Sequence, residues 1–156
     1  IILFQPRKFV SILCMVRVSK PAVFLETSAL VRFLVGDDPK KAESVNTLMR
    51  RIDAGEIEPI TSNIVFMELA YVLMRVYRQS QAHTLSRLSA LQELRALRFV
   101  ERTDTKVALQ LWQESSIPYG DCLIALQVPE KAQLATFDTD FTKLPNLTLL
   151  DWSTVG

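Results

Sequence analysis

The chain has 156 residues, of which 49% are hydrophobic and 22% are charged, a composition that suits one compact domain and argues against global disorder. The formal net charge of +1 indicates neither a strongly basic nor a strongly acidic partner. Two cysteines, Cys14 and Cys122, and a single histidine exclude a zinc site of the usual Cys/His kind. They also argue against a disulfide framework, so we expect a reducing, cytoplasmic setting.

The first segment of the chain differs from the rest. The apolar run 9–16 is too short for a membrane span, and the residues after it form a poor signal-peptide cleavage site. We interpret residues 1–20 as an N-terminal extension, with Met15 as an alternative start, and residues 21–152 as the domain. The other interpretation of the extension is an additional strand or helix packed on the domain.

From residue 22 onward, buried-strand patterns alternate with helical patterns. The predicted strands are 22–26, 57–61, 98–101, 133–137 and 147–151. The predicted helices are 27–36, 37–55, 62–77, 80–97, 104–115 and 119–128, with a turn or short helix at 138–144. This alternation predicts an α/β sandwich with a mostly parallel central sheet.

Two of the predicted helices carry further expectations. The helix at 62–77 is apolar on nearly every side, which predicts that it is buried all round. The helix at 80–97 has apolar residues at positions 85, 88, 91, 94 and 97, which is typical of an amphipathic helix.

The glycine-rich and nucleophile motifs of common enzyme classes are missing from the sequence. There is no G-x-G-x-x-G, no P-loop and no G-x-S-x-G, so dinucleotide, P-loop nucleotide and serine-hydrolase chemistry lack their usual signatures. His83 has no acidic partner near it in the sequence, and a catalytic Ser-His or Cys-His pair is therefore disfavoured.

Four acidic residues stand at positions where chemistry is expected. Glu26 ends the first strand, Asp121 begins an apolar helix and Asp138 follows the strand 133–137. Each of these three, taken alone, also fits a helix cap. Glu68 is different, because it lies within an apolar helix without a basic residue one turn away. A buried carboxylate needs a hydrogen bond, an ion pair or a bound cation.

Taken together, the acidic residues predict a metal site. Ligands of open α/β sheets bind outside the carboxyl ends of the strands, where Glu26 and Asp138 both lie. Carboxylates held close together repel one another, and a divalent cation relieves that repulsion. A cluster without His or Cys favours a hard ion, Mg²⁺ or Mn²⁺, which suits attack of a metal-activated water on a phosphodiester.

The motifs that contain these acids resemble those of a PIN domain of the VapC-type toxin group. The similarity runs over residues 22–150, through "FLETSALVRFLVGDDP", "MELAYVL", "YGDCLIA" and "LATFDTDFTKLP". These blocks resemble, in order, the family's strand-end acid followed by Thr/Ser, its helical glutamate, its third acid at a helix start and its fourth acid after a strand. Four ordered motifs in the right context make the resemblance specific.

The resemblance implies a three-layer α/β/α sandwich and an Mg²⁺- or Mn²⁺-dependent endoribonuclease that cleaves RNA. It also implies a homodimer, inhibition by a small antitoxin protein, and no membrane partner. By the same resemblance, the catalytic and metal-binding residues are Glu26, Glu68, Asp121 and Asp138. The supporting residues are Thr27, Ser28, Thr136 and Asp140.

One departure from the family pattern leaves an alternative open. The family's first acid is usually aspartate, whereas Glu26 extends the carboxylate by one C–C bond, about 1.5 Å. The glutamate could fold back and still bind the metal, favour the more tolerant Mn²⁺, or impair the site. Our hypothesis is a retained but altered metal site. The alternative is a catalytically impaired PIN domain that binds RNA or a protein.

Two further alternatives fit the residues less well. In a haloacid-dehalogenase-like phosphatase the D-x-D nucleophile follows the first strand, where this chain has "LETSA", and no acceptor Asp and late Lys of a receiver domain are evident. A purely structural domain with four capping acids does not explain Glu68 in its apolar helix.

Overall fold

The structure, a computed structural model, describes residues 19–155. The N-terminal extension predicted for residues 1–20 therefore lies, up to residue 18, outside the described residues. Within the described part the strands are β1 (Ala22–Leu25), β2 (Glu58–Ser62), β3 (Arg98–Val100) and β4 (Ala132–Ala135). The helices of this part are α1 (Thr27–Val35), α2 (Pro39–Asp53), α3 (Asn63–Arg75), α4 (Gln81–Gln92), α5 (Thr105–Glu114) and α6 (Tyr119–Gln127). Two short 3₁₀ helices, Thr139–Lys143 and Trp152–Thr154, follow. Between residues 19 and 155, no helix is long and apolar enough to cross a membrane.

The four strands form one parallel sheet in the order β3-β2-β1-β4, which confirms the predicted α/β fold class. The chain leaves β1 towards β2 and β3, and then returns through α5 and α6 to place β4 on the other side of β1. The direction of strand addition therefore reverses between β1 and β4. In open α/β sheets such a switch point, at the carboxyl ends of the strands, is where ligands bind.

Local sequence explains where the elements near this edge begin and end. Asp38 caps α2, with Pro39 in its first turn, and Ser62 caps α3 directly after β2. Gly36 ends α1 in the left-handed region at φ 71°, which costs a glycine little. The strand residues Val23–Leu25 are buried, as expected of a parallel sheet covered on both faces.

The prediction that α3 is buried all round is wrong. Met67 and Tyr71 are 66% and 65% exposed, and Met74 is also exposed. Val65, Leu69 and Leu73 form the buried face of the helix. The apolar run covers the whole circumference of α3, but α1, α4 and α6 pack against only part of it.

The predicted helix at 80–97 and the predicted last strand also differ from the structure. Helix α4 ends at Gln92, because the chain turns at Leu94 and adopts a left-handed φ of 57° at Ala96. Leu85 is 63% exposed rather than on a buried face. The segment 147–151 makes only one isolated parallel bridge to β4, between Leu134 and Leu149.

Candidate functional site

The carboxyl ends of β1 and β4 bring two acidic segments side by side. Glu26 follows β1, and its N–H donates to the carbonyl of Ala135, the last residue of β4, at 3.2 Å. Residues 136–140, which we name the acid segment, come directly after β4 and contain Thr136, Asp138 and Asp140. Because β1 and β4 are parallel neighbours, Glu26 and the acid segment share one edge of the sheet.

Glu26 is almost fully buried, with 4% of its surface exposed. Its Oε2 accepts hydrogen bonds from the Ser28 N–H at 2.9 Å, from Ser28 Oγ at 2.6 Å and from Thr136 Oγ1 at 2.7 Å. The side chain therefore folds back over α1, for which Glu26 is also the N-cap. Within residues 19–155 no donor is paired with Oε1, so this oxygen remains for another ligand.

The two hydroxyl groups beside Glu26 connect it to the backbone of the acid segment. Ser28 Oγ accepts from the N–H of Phe137 at 2.8 Å, and Thr136 Oγ1 accepts from the N–H of Asp138 at 3.0 Å. Each hydroxyl has one proton, which it donates to Glu26. Burial raises the pKa of the Glu26 carboxyl, while the hydrogen bonds from Ser28 and Thr136 oppose that shift.

Glu68 lies in the middle of α3 and is half-buried. Thr27 Oγ1 donates to its Oε2 at 2.7 Å, so a hydrogen bond supplies the partner that a carboxylate in this helix needs. Burial raises the pKa of Glu68, and the negative charge of Asp138 raises it further, while the bond from Thr27 lowers it. Glu68 is thus oriented from α1 and lies within electrostatic range of the acid segment.

Gly120 allows Glu68 to approach α6, the helix that carries Asp121. A Cβ atom built on Gly120 would lie 2.7 Å from Glu68 Oε1, which is shorter than a van der Waals contact between carbon and oxygen. A side chain at position 120 would therefore displace the glutamate. Sequence reasoning did not single out Gly120, although its place directly before an acidic site residue was a usable signal.

Three carboxylates at this edge offer oxygen atoms that all lie within 4.8 Å of one another. We name Asp121, Asp138 and Asp140 the acidic trio. Asp121 is in the first turn of α6, and Asp138 caps the following 3₁₀ helix by accepting from the Asp140 N–H at 2.9 Å. Asp138 and Glu26 therefore serve as caps as well as facing the site.

The structure divides the candidate acids into the trio and two others. Asp140, which the sequence indicated only as a supporting residue, lies in the trio, whereas Glu26 and Glu68 do not. Lys143 Nζ lies 2.6 Å from Asp140 Oδ1 and neutralises part of the trio's charge. The D-x-D spacing on the short helix after β4 is what places Asp138 and Asp140 side by side.

Asp121 experiences the combined negative charge of this region. Its pKa is raised from 3.8 to about 7, first by burial and then by the charges of Asp138, Glu68, Glu26 and Asp140. Four other carboxylates therefore lie close enough to Asp121 to interact with it, although the five residues belong to four different elements or loops. A bound cation would relieve this repulsion.

The donor set fits a hard divalent cation. It contains carboxylate oxygens without thiolate or imidazole, which is the chemistry that Mg²⁺ and Mn²⁺ prefer. Two oxygens on opposite sides of Mg²⁺ are separated by about 4.2 Å, twice the usual bond length of about 2.1 Å. The oxygens of the acidic trio, which all lie within 4.8 Å of one another, are close to that spacing.

We expect the metal-free protein to lose stability as the pH rises from about 4 to about 7. The pKa of Asp121 is raised from 3.8 to about 7 on folding, so the folded state binds more protons than the unfolded state in this range. Thermal unfolding in EDTA at about pH 5 and about pH 7.5 measures the effect. Asp121→Asn should flatten the dependence, and the exposed control Asp53→Asn should leave it unchanged. A midpoint that rises with pH in the wild type would contradict the placement of Asp121.

Comparison with solved structures identifies similar folds. The structure of VapBC2 from Rickettsia felis, bound to a DNA fragment from their promoter, matches with a TM-score of 0.59 and 22% identity, over 83% of this chain and 97% of that chain. VapC20 from Mycobacterium tuberculosis, a toxin that cleaves the sarcin-ricin loop, matches with a TM-score of 0.58 and 20% identity, over 77% of this chain and 92% of that chain. A comparison with curated protein sequences gave no match.

The sequence also matches a family model. The model of the PIN domain covers residues 23–147, from the first strand past the acidic trio. Together with the parallel sheet and the similar folds, this match confirms what the four sequence motifs predicted: the chain belongs to the PIN domain family.

Proposed function

We propose that this chain is a metal-dependent endoribonuclease and the toxin of a VapC-type toxin–antitoxin pair. The observation that carries the proposal is the acidic trio at the switch point of the sheet, where burial and the charges of neighbouring carboxylates raise the pKa of Asp121 to about 7. Membership of the PIN domain family and the fold shared with VapC20 support the same activity.

The residues of the site have distinct roles in this proposal. The acidic trio would hold Mg²⁺ or Mn²⁺, and Glu68 and Oε1 of Glu26 would complete the site from the side of the sheet. Thr27 orients Glu68, while Ser28 and Thr136 orient Glu26. When bound, a divalent cation supplies charge neutralisation for the phosphodiester and an activated water.

An RNA backbone requires the acidic charge to be neutralised before it can bind. Asp121 and the four carboxylates whose charges act on it would otherwise repel a phosphate group. The protein's own contribution is to hold Glu68 and Glu26 in place through the hydroxyl groups of Thr27, Ser28 and Thr136, whose hydrogen bonds favour the ionised form of each carboxyl. The proposal therefore predicts that cleavage depends strictly on added metal.

Partners follow from the same proposal. VapBC2 is a complex, and by analogy a small antitoxin protein would inhibit this chain, which would act as a homodimer in the cytoplasm on an RNA substrate. Co-expression with a small antitoxin-like reading frame, if one adjoins the gene of this chain, followed by purification of a stable complex, tests the antitoxin partner.

Cleavage of RNA in the presence of Mg²⁺, Mn²⁺ or EDTA tests the activity. The proposal expects cleavage with either metal and none in EDTA. Glu68→Gln should abolish it, whereas Glu130→Gln, a change of the same kind at an exposed position, should retain it. Metal-independent cleavage, or equal activity of the two variants, would refute the proposed nuclease.

A second function remains a candidate because of Glu26. Its Oε2 is committed to three hydrogen bonds and the residue lies outside the acidic trio. A PIN domain with an impaired site would then act as a module that binds RNA or protein without cleaving it. Metal titration combined with the cleavage assay separates the two functions.

Glu26→Asp is the variant that distinguishes these functions. If the site is active, we expect the variant to lose about tenfold in cleavage, because the shorter side chain draws back from the hydroxyl group of Thr136. We also expect the wild type to cleave at least as well with Mn²⁺ as with Mg²⁺. If the wild type is inactive and the variant Glu26→Asp is active, the wild-type chain is instead the impaired domain.

A further inference from the structure

The end of the chain runs alongside β4 in register. Leu134 pairs with Leu149, the Leu134 N–H donates to the Thr148 carbonyl at 2.8 Å, and the Leu150 N–H donates to the Leu134 carbonyl at 2.9 Å. Three residues further along each segment, the same register places Trp152 beside Phe137. The segment 147–152 therefore places the aromatic side chain of Trp152 against the acid segment.

Trp152 contacts the acid segment in two ways. Its ring stacks on that of Phe137, with the centroids 4.4 Å apart and an interplanar angle of 9°. Its indole Nε1–H donates to the Thr136 carbonyl at 2.9 Å. Lys41 from α2 lies 5.5 Å from the centroid of the Phe137 ring. Both an apolar contact and a directional bond thus hold the start of the acid segment.

The groups that Trp152 holds are those that connect Glu26 to Asp138. The N–H of Phe137 donates to Ser28 Oγ, and Thr136 Oγ1 joins Glu26 Oε2 to the N–H of Asp138. A shift of the backbone at 136–137 would break these bonds together. It would also move the carboxylate of Asp138 relative to that of Asp121.

We propose that Trp152 is a positioning residue, which fixes the backbone of the acid segment and thereby the spacing of the acidic trio. Trp152 lies beyond residues 23–147, the part of the chain that the family model covers. The consequence for metal binding rests on the proposed function, whereas the effect on the acid segment does not.

Amide hydrogen exchange of the full chain in EDTA tests this role without a metal. In Trp152→Leu, the amides of Phe137 and Asp138 should exchange at least about tenfold faster than in the wild type. Trp152→Phe keeps the stacked ring and loses the N–H donor, so its amides should exchange at intermediate rates.

Phe99→Leu is the control, because it removes one ring of a different aromatic pair, Phe66–Phe99. It should leave the two amides unchanged. Unchanged exchange in Trp152→Leu, or equal acceleration in the control, would overturn the proposal.

Mn²⁺ affinity provides a second readout. A general loss of packing would weaken Mn²⁺ binding in Trp152→Leu and in the control Phe99→Leu alike, whereas the proposed role affects only Trp152→Leu. Trp152→Leu should bind Mn²⁺ about 10- to 100-fold more weakly, as is usual when a group that orients metal ligands is lost. Trp152→Phe should recover most of that loss, and Phe99→Leu should bind as the wild type does. Wild-type affinity in Trp152→Leu would refute the coupling to the trio. A wild type that binds no Mn²⁺ would refute the proposed function, while the exchange result would still decide the role of Trp152.

Discussion

Asp121→Asn is expected to abolish metal-dependent RNA cleavage and to raise the thermal midpoint of the metal-free protein at about pH 7.5. The loss of activity should be at least about a hundredfold, because changing groups that only orient a metal ligand already costs about 10- to 100-fold. The gain in stability follows from charge. The pKa of Asp121 is raised to about 7 by burial and by four neighbouring carboxylates, so its ionised form is unfavourable in the empty site.

If Asp121 is a metal ligand, the loss of cleavage and the rise of the thermal midpoint must occur together in Asp121→Asn. Asparagine has nearly the same shape as aspartate, so packing is preserved while the charge is removed. Asp53→Asn is the matched control, since Asp53 is exposed at the end of α2, and it should alter neither the cleavage rate nor the midpoint. A variant of Asp121 that lost activity and stability together would indicate a structural role for this carboxylate.

Gly120→Ala is expected to cost about 10- to 100-fold in metal affinity and cleavage without lowering stability. The added Cβ would lie 2.7 Å from Glu68 Oε1, and the glutamate would have to swing away from Thr27. The fold should tolerate the change, because alanine stabilises a helix relative to glycine by roughly 0.5–1 kcal/mol. Thermal unfolding and a Mn²⁺ titration of the same preparation measure the two quantities.

A double-mutant cycle shows whether Gly120 acts through Glu68. If it does, the variant Gly120→Ala/Glu68→Gln should bind Mn²⁺ no more weakly than Glu68→Gln alone. Additive losses would indicate that the alanine disturbs the site by another route, such as a shift of α6 and Asp121.

The sequence predicted the elements of this fold well where a single local signal dominates. Asp38 with Pro39, and Ser62 before an apolar run, are strong start signals, and α2 and α3 begin there. The errors concern tertiary packing. The apolar composition of α3 does not reveal that Met67 and Tyr71 face outwards, and the segment 147–151 has a strand-like pattern although only Leu149 bridges to β4.

For the candidate site, the sequence predicted four acids, Glu26, Glu68, Asp121 and Asp138, that lie near one another, but not how they are arranged. Position at strand and helix ends was enough to select Glu26, Asp121 and Asp138, because parallel strands end at one edge. The membership of Asp140 in the trio depends on the 3₁₀ helix after β4. The role of Gly120 depends on the distance between α3 and α6, and that of Trp152 on the register with β4. Such distances are tertiary properties that no local pattern encodes.

The most direct test of the acidic trio as a cation site is a titration of the metal-free protein with Mn²⁺ at about pH 8, in which electron paramagnetic resonance measures the bound ion. We predict that the wild type and Asp53→Asn bind the ion, and that Asp121→Asn binds it at least about a hundredfold more weakly. Equal binding by the wild type and Asp121→Asn, or none by the wild type, would contradict a metal centre at the carboxyl ends of β1 and β4.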